Sequence, residues 1–324
     1  LDSGRPTADR GRYDLMSARP QAELSLQPGE SGRAFLQRLR DNLTQMGNAT
    51  LPPEYDLPFA GGLIGYLSYD FGRQLEQLPA HALDDLNLPD ARLGLYTWAL
   101  ISDHQASTSQ LVFHPGCEPL EREHLIQLFS QPAALHNGPF SLKTPIQPDI
   151  SASQYEQALA RIHRYIQAGD CYQVNYTQRF SAQCEGDAWT AYCALRAACP
   201  TPFSGFASLP DGNAILSLSP ERFVRVSHNH VETRPIKGTR PRGKDSAEDA
   251  ANAAELLASP KDRAENLMIV DLLRNDLGRT CRTGSVSVPQ LFTLESYPNV
   301  HHLVSSVIGE LADGKDALDL IGDS

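Results

Sequence analysis

Three stretches put ionisable side chains among apolar neighbours: Leu218-Ser-Pro-Glu221-Arg-Phe223, Arg234-Pro-Ile-Lys237-Gly-Thr239 and the block 261–279. Lys237 lies between Ile236 and Gly238 at the end of a strand-like run. An amine that loses hydration has a lowered pKa and a larger neutral fraction, which suits it to act as a nucleophile or a base. The adjacent glycine would let a ligand come close to the backbone. The same pattern also fits a strand-end lysine whose stem lies on apolar surface while its head stays in water. Glu221 follows Pro220 after the apolar run 214–218. Burial there would raise its carboxyl toward the range of a general acid, and an ion pair with Arg222 or Arg225 is the structural alternative.

The block 261–279 has the form of a long helix with Ser259 as its N-cap and Pro260 in its first turn. Asp262 and Glu265 are three residues apart and share a face. Two carboxylates near a helix start can ligate Mg2+, which takes one or two of them plus waters and substrate oxygens, or they can simply complement the helix dipole. Asp271, Arg274, Asn275, Asp276 and Arg279 crowd the other end, as either a polar network or catalytic groups. His301-His302 precedes a strand with no carboxylate or cysteine at metal-site spacing, so the pair reads as structural. Gly61, Gly62 and Gly65 interrupt an apolar run that no Lys-Ser/Thr follows, so they read as packing glycines and not as a phosphate loop.

Five blocks in order, Asp170-Cys-Tyr-Gln-Val-Asn175, Leu216-Ser-Leu-Ser-Pro-Glu-Arg-Phe223, Thr233-Arg-Pro-Ile-Lys-Gly-Thr239, 261–279 and His301-His-Leu-Val-Ser305, resemble the chorismate-utilising enzymes. That family includes anthranilate synthase component I, isochorismate and salicylate synthases, and aminodeoxychorismate synthase component I. The resemblance implies that the residue before Gly238-Thr239 separates activities: alanine in the first three branches, lysine in the branch that aminates chorismate. With Lys237 in that place, it implies conversion of chorismate and ammonia to 4-amino-4-deoxychorismate, for p-aminobenzoate and folate, with the ammonia supplied by a glutamine amidotransferase subunit. Lys237 would attack C2 of chorismate while Glu221 protonates the departing C4 hydroxyl. Ammonia would then add at C4 and expel the lysine. Glu265 would match the family's Mg2+ ligand with Asp262 one turn away, and His302 a histidine near the substrate ring. Ser3 would match a serine lining a tryptophan site in some members, although Asp2 departs from the usual neighbour. Family members continue with a Gly-Ser-x-Thr-Gly-Ala-Pro-Lys segment, carboxylate-binding groups and a second magnesium glutamate that do not occur here, so the expectation is a fragment whose C-terminal part is missing and which is inactive alone. Anthranilate synthase component I, against which Lys237 speaks, and a non-catalytic amidotransferase-binding subunit are the rival readings.

The elements that must position these residues follow from periodicity. Helices are expected at 189–198, 247–258 and 260–274, strands at 203–209, 214–218, 223–226, 231–233, 285–292 and 302–308, with a turn at 210–213. Ser153-Gln-Tyr-Glu156 has capping-box form and opens a helix with Tyr155, Leu159, Ile162 and Ile166 on one face, stopped by Gly169. The run 171–180 alternates like a strand. In the first part, Phe35, Leu36, Leu39 and Leu43 recur at helical spacing, as do Leu120, Leu125, Ile126 and Phe129. Strands broken by helices without βαβ alternation argue α+β, and the resemblance implies a layered sandwich of two antiparallel sheets with outer helices. The breaker-rich stretch 131–150 marks a boundary, giving an N-terminal region 1–146, resembling that of anthranilate synthase component I, and a chorismate-binding region 147–324.

Composition narrows the class. The 324 residues, 41% hydrophobic and 21% charged, suffice for about two domains or one large unit and argue against a disordered chain. No run approaches the ~18 apolar residues of a membrane span, and no basic region followed by an apolar core opens the chain. A net charge of -11 argues against nucleic acid. Six cysteines without a Cys-x-x-Cys pair read as free thiols of a reducing cytoplasm. The chain starts at Leu1 without methionine, and Ala317, Leu318, Leu320 and Ile321 begin an apolar helical pattern just before its end.

Overall fold

Residues 1–4, 11–52, 55–132 and 138–323 are described in the computed structural model of the chain. Positions 133–137 of the breaker-rich stretch lie outside the described residues. The chain forms two compact units, Leu1–Ala133 together with Arg196–Ser324, and Ala134–Leu195. No helix of the described residues is long and apolar enough to cross a membrane.

In the larger unit the first elements are β1 (Tyr13–Met16), β2 (Ala22–Ser25), α1 (Gly32–Met46), β3 (Gly62–Leu67), β4 (Ala91–Tyr96), β5 (Trp98–Asp103), β6 (Thr108–Phe113) and α2 (Pro119–Phe129). They pair in the orders β1-β5-β6 and β2-β4-β3. Gly65 of β3 faces β4 so closely that a Cβ would lie 2.1 Å from the Arg92 carbonyl oxygen, which accounts for glycine in that apolar run. The smaller unit holds β7 (Phe140–Leu142), β8 (Gln147–Pro148), α3 (Ala152–Ala168), β9 (Phe180–Ser181) and β10 (Cys184–Gly186), and α4 (Ala188–Ala198) follows. Here β7 pairs β10 and β8 pairs β9.

The capping box of α3 is Ser151 with Gln154, two residues before the expected pair, and Gly169 closes the helix in the left-handed conformation. The expected strand 171–180 shrinks to Phe180–Ser181. Alternation makes a run compatible with a sheet, but a strand also needs a partner edge. Only its last residue, with Ser181, finds one, at Gln147–Pro148, and Tyr172 stays 88% exposed.

The larger unit continues with the hairpin β11 (Phe203–Ser208) and β12 (Ala214–Ser219), then β13 (Arg225–Ser227), β14 (His230–Thr233), β15 (Ile236–Pro241), α5 (Ser246–Ala258), α6 (Pro260–Thr280), β16 (Ser287–Ser296), β17 (Val300–Glu310) and α7 (Ala317–Asp323). The last five strands form one sheet around β17, which pairs with β14, β15 and β16. Every strand pair among the described residues is antiparallel, and the architecture is α+β as expected. α5 and α6 cover this sheet. Val231, Val270, Leu277, Cys281, Val307, Leu311 and Leu320 form its core. The apolar pattern at the chain's end is explained by α7: Leu320 enters that core, while Leu318 and Ile321 pack on a second one built from Leu24, Phe35, Leu36, Leu39, Phe71 and Ala91. Asp316 starts α7 by accepting from the backbone of Leu318 and Asp319 at 2.9 Å, and the Arg40 guanidinium holds its carboxyl down at about 2.

Candidate active site

Ile236 of β15 lies opposite Val304 of β17, and Thr239 lies opposite His302. Lys237 and Gly238 therefore share a single opposing residue, Leu303, which makes a β-bulge. Lys237 sits on this bulge and not at a strand end. It is half-buried, and its ammonium makes no hydrogen bond or ion pair among the described residues.

Gly238 completes the bulge at φ +88°, and a Cβ there would come within 2.9 Å of Asp262 Cβ and Leu256 Cδ1. The backbone beside the lysine is thus pinned between α5 and α6, and only glycine fits. Gly238→Ala is expected to cost about 1–3 kcal/mol, from left-handed strain together with the crowding. Thermal unfolding checks this, and an unchanged midpoint would refute the packing argument.

Glu221 comes to the same bulge from the segment after β12. Ser219 Oγ donates to the Glu221 carbonyl at 2.9 Å and accepts from its N–H at 3.2 Å. This local turn aims the side chain across, and the Ile236 N–H donates to Glu221 Oε1 at 2.8 Å. Two expectations for Glu221 are corrected here. Its carboxylate is exposed and not buried, because it follows the end of the hairpin. It also does not pair with Arg222 or Arg225: Arg222 pairs with Glu232, and Arg225 lies opposite Glu232 in the β13/β14 register.

The histidine pair separates as neighbours on a strand must, to opposite faces. His301, 2% exposed, bonds Ser296 Oγ at Nδ1 (2.8 Å) and Asp249 Oδ1 at Nε2 (3.0 Å). Asp249 is also gripped by Arg242 and by the Gly243 N–H, which hold its carboxyl well below the usual range. His301 is structural, as the sequence reading has it. His302, 8% exposed, lies between Thr239 on β15 and Glu295 on β16. Its Nδ1 is 2.9 Å from Thr239 Oγ1, and the Tyr297 ring meets its edge at 5.5 Å. Burial pushes its pKa down, and this outweighs the opposing pull of Glu295 and of a hydrogen bond to the Gly238 backbone. A neutral imidazole therefore stands beside the lysine's bulge.

On α6, Ser259 caps the helix and Asp262 lies beneath Gly238. Asp262 accepts from Arg240 at 3.0 Å, and Ser259 and Arg240 lower its pKa. The expected metal partner of Glu265 is therefore already occupied by a guanidinium. Glu265 follows one turn later and is half-buried. Among the described residues, no group of three or more His, Cys, Asp or Glu is placed to hold a metal ion. Ser3 belongs to a different cluster, where its N–H and Oγ both donate to Asp14 Oδ1 at 2.8 Å, and Asp14 also pairs with His104.

Sequence reasoning passed over Thr239, Arg234, Glu295 and Tyr297. Arg234 donates to Ser306 Oγ at 3.1 Å and pairs with Glu295, which accepts from the Tyr297 hydroxyl at 2.8 Å. Glu295 is 2% exposed, and this buried network backs His302. A carboxylate in a strand two residues before a tyrosine carries little signal until the β16/β17 register is known. Lys237, Glu221, His302 and Asp262 thus converge on one bulge, bringing together an amine, a carboxyl group and a neutral imidazole, the set required for covalent catalysis with proton transfer.

Residues 3–324 match the chorismate binding enzyme family. The chain is 44% identical to aminodeoxychorismate synthase component 1 of Salmonella typhimurium over 99% of its own length and 72% of that protein's. With the Escherichia coli protein of the same name, identity is 47%, covering 82% of this chain and 57% of that one. The crystal structure of anthranilate synthase component I from Streptococcus pneumoniae superposes with a TM-score of 0.82 at 27% identity, over 97% of this chain and 72% of that one. Taken with the bulge and the groups gathered on it, these matches establish that the chain belongs to the chorismate-binding enzyme family.

Proposed function

We propose that this chain carries the chorismate-aminating activity of an aminodeoxychorismate synthase component I, with Lys237 as a covalent nucleophile. The observation that carries the reading is the lysine itself, on a glycine-containing bulge, with the Glu221 carboxylate fastened to the adjacent Ile236 N–H at 2.8 Å. The Lys237 amine attacks C2 of chorismate, both ring double bonds shift (C1=C2 to C1=C6 and C5=C6 to C4=C5), and the C4 hydroxyl leaves as water with a proton from Glu221. Ammonia then forms a bond at C4, both double bonds shift back, the C2–N bond to Lys237 breaks to return the amine, and the new C4 ammonium gives a proton back to Glu221. Holding amine and ring together replaces a bimolecular displacement by an intramolecular one. His302 stands beside the ring as a neutral hydrogen-bonding group. We assign the ammonia to a glutamine amidotransferase subunit, and a tryptophan site, where one exists, to the neighbourhood of Ser3. Six free thiols support a cytoplasmic setting.

A magnesium ion fits the donor chemistry at Glu265, because a hard cation needs only one or two carboxylates, with waters and substrate oxygens completing its shell. Glu265 would hold it, and the bound ion would supply neutralisation of a substrate carboxylate. Glu265→Gln is therefore expected to raise the Mg2+ concentration for half-maximal rate by at least about 10-fold and to weaken chorismate binding with it. The helix itself should lose at most ~1 kcal/mol. A wild-type magnesium titration in the variant would refute the role.

The deciding experiment incubates the full-length natural protein with chorismate, Mg2+ and ammonium and identifies the product by mass. 4-Amino-4-deoxychorismate is expected. Anthranilate with pyruvate would overturn the reading in favour of anthranilate synthase, and binding of an amidotransferase without chorismate turnover would overturn it in favour of a non-catalytic subunit.

A further inference from the structure

We propose that Asn266 is a positioning residue that sets the register of α6 against β17, and with it the place of Glu265 relative to the Lys237 bulge, an inference that rests on the magnesium reading of Glu265 for its catalytic consequence. Asn266 and Ser305 are both 0% exposed. Asn266 Nδ2 donates to the Leu303 carbonyl at 3.2 Å, and its Oδ1 accepts from Ser305 Oγ at 2.6 Å. Leu303 is the β17 residue that faces Lys237 and Gly238 together. Ser305 Oγ accepts in turn from the Phe292 N–H at 3.1 Å, and the Ser305 N–H donates at 3.2 Å to the carbonyl of Pro235, immediately before Ile236. The backbone at each end fixes every role in this chain. The Phe292 N–H can only donate and the Leu303 carbonyl can only accept, which leaves the serine proton for Oδ1 and the amide N–H for Leu303.

These bonds matter because the rest of the helix packing is not directional. The buried residues of α6 are Asp262 and Asn266 near its start and Val270, Leu277 and Thr280 further on. Val270 and Leu277 belong to the apolar core, where burial favours contact without fixing a register. Around Glu265 the buried side chains are polar. Asp262 reaches β15 through the long side chain of Arg240, whereas Asn266 bonds the backbone of β17 itself. Glu265 immediately precedes Asn266, so a rotation of α6 that broke the amide's bonds would carry the carboxylate with it. Asn266 thus acts through its neighbour.

The test uses the full-length natural protein. Without chorismate or Mg2+, hydrogen exchange in Asn266→Ala is expected to quicken about 10-fold at the amides of 264–268 and to stay within about twofold of wild type at 273–277. The Mg2+ concentration for half-maximal rate should rise about 10-fold, with kcat at saturating Mg2+ within about threefold. In a Glu265→Gln background the same substitution should move that midpoint less than twofold, because the carboxylate it acts through is gone. Ser305→Ala, which keeps the bond to Leu303, should show the same pattern with a midpoint shift of about threefold, and decides the question if Asn266→Ala does not fold. Unchanged exchange at 264–268, faster exchange with a wild-type Mg2+ midpoint, or equal midpoint shifts in both Glu265 backgrounds overturns the proposal. The exchange measurement needs neither chorismate nor metal, so the helix register is decided independently of the amination reading.

Discussion

Lys237→Ala is expected to leave no covalent adduct on the protein after incubation with chorismate and to lower the amination rate by at least about 10²-fold. The magnitude follows from what the lysine replaces. A tethered nucleophile at an effective concentration of about 10⁵ M or more is lost, and free ammonia must displace the C4 hydroxyl directly. The variant should still fold. Lys237 makes no ion pair among the described residues, so its removal orphans no buried charge, and the bulge is held by Gly238 against Asp262 and Leu256. A stability change within about 1 kcal/mol is expected for such a half-exposed position. Intact-mass measurement after acid quench, beside a melting curve, checks both parts. An unchanged rate with an adduct on another residue would remove Lys237 from the mechanism.

The local elements were legible because their signals are local. Pro260 and Ser259 announce α6, the turn at 210–213 joins β11 to β12, and helical spacing of Phe35, Leu36 and Leu39 marks α1. Strand pairing was not legible, because it joins residues far apart. Glu221 meets Ile236 fifteen positions away, and Thr239 meets His302 sixty-three away. Neither contact has a periodicity of its own. The bulge under Lys237 is the sharpest case: two residues of β15 opposing one of β17 can be recognised only once both strands are paired. A glycine after the lysine hinted at close approach, but what approaches is the α6 carboxylate of Asp262 as well as Leu256.

The histidine pair shows the same limit in another form. As a dipeptide it carries one signal, yet strand geometry sends one ring to Asp249 and Ser296 and the other to Thr239. Both rings are buried and hydrogen-bonded, so the spacing alone could not tell their settings apart. For Asp262 and Glu265, helical spacing gave a shared face, on which a shared ion and a complement to the helix dipole were both open readings, but the cation that Asp262 meets is Arg240, which arrives from β15. The competition between a protein cation and a metal cation is a tertiary matter that an i, i+3 interval cannot express.

Glu221→Gln is expected to lower kcat by about 10²- to 10⁴-fold while chorismate binding and stability stay close to wild type. The structure makes this substitution unusually clean. Glu221 Oε1 serves the fold as an acceptor for the Ile236 N–H, and a glutamine carbonyl oxygen can accept the same bond in the same place. What glutamine cannot do is release a proton to the departing C4 hydroxyl, so the loss falls on the step in which the C–O bond breaks and appears in kcat and kcat/KM together. Stability has no second route through this residue. The guanidinium of Arg222 is already paired with Glu232, and the exposed Glu221 carboxylate leaves no buried charge behind when neutralised. The thermal midpoint should therefore shift by no more than about 0.5 kcal/mol allows. Glu221→Ala supplies the contrast, since it removes both proton and acceptor, and should add a loss of about 1 kcal/mol for the Ile236 N–H. A glutamine variant that melts early but turns over at the wild-type rate would make Glu221 a strut for β15 and require another general acid.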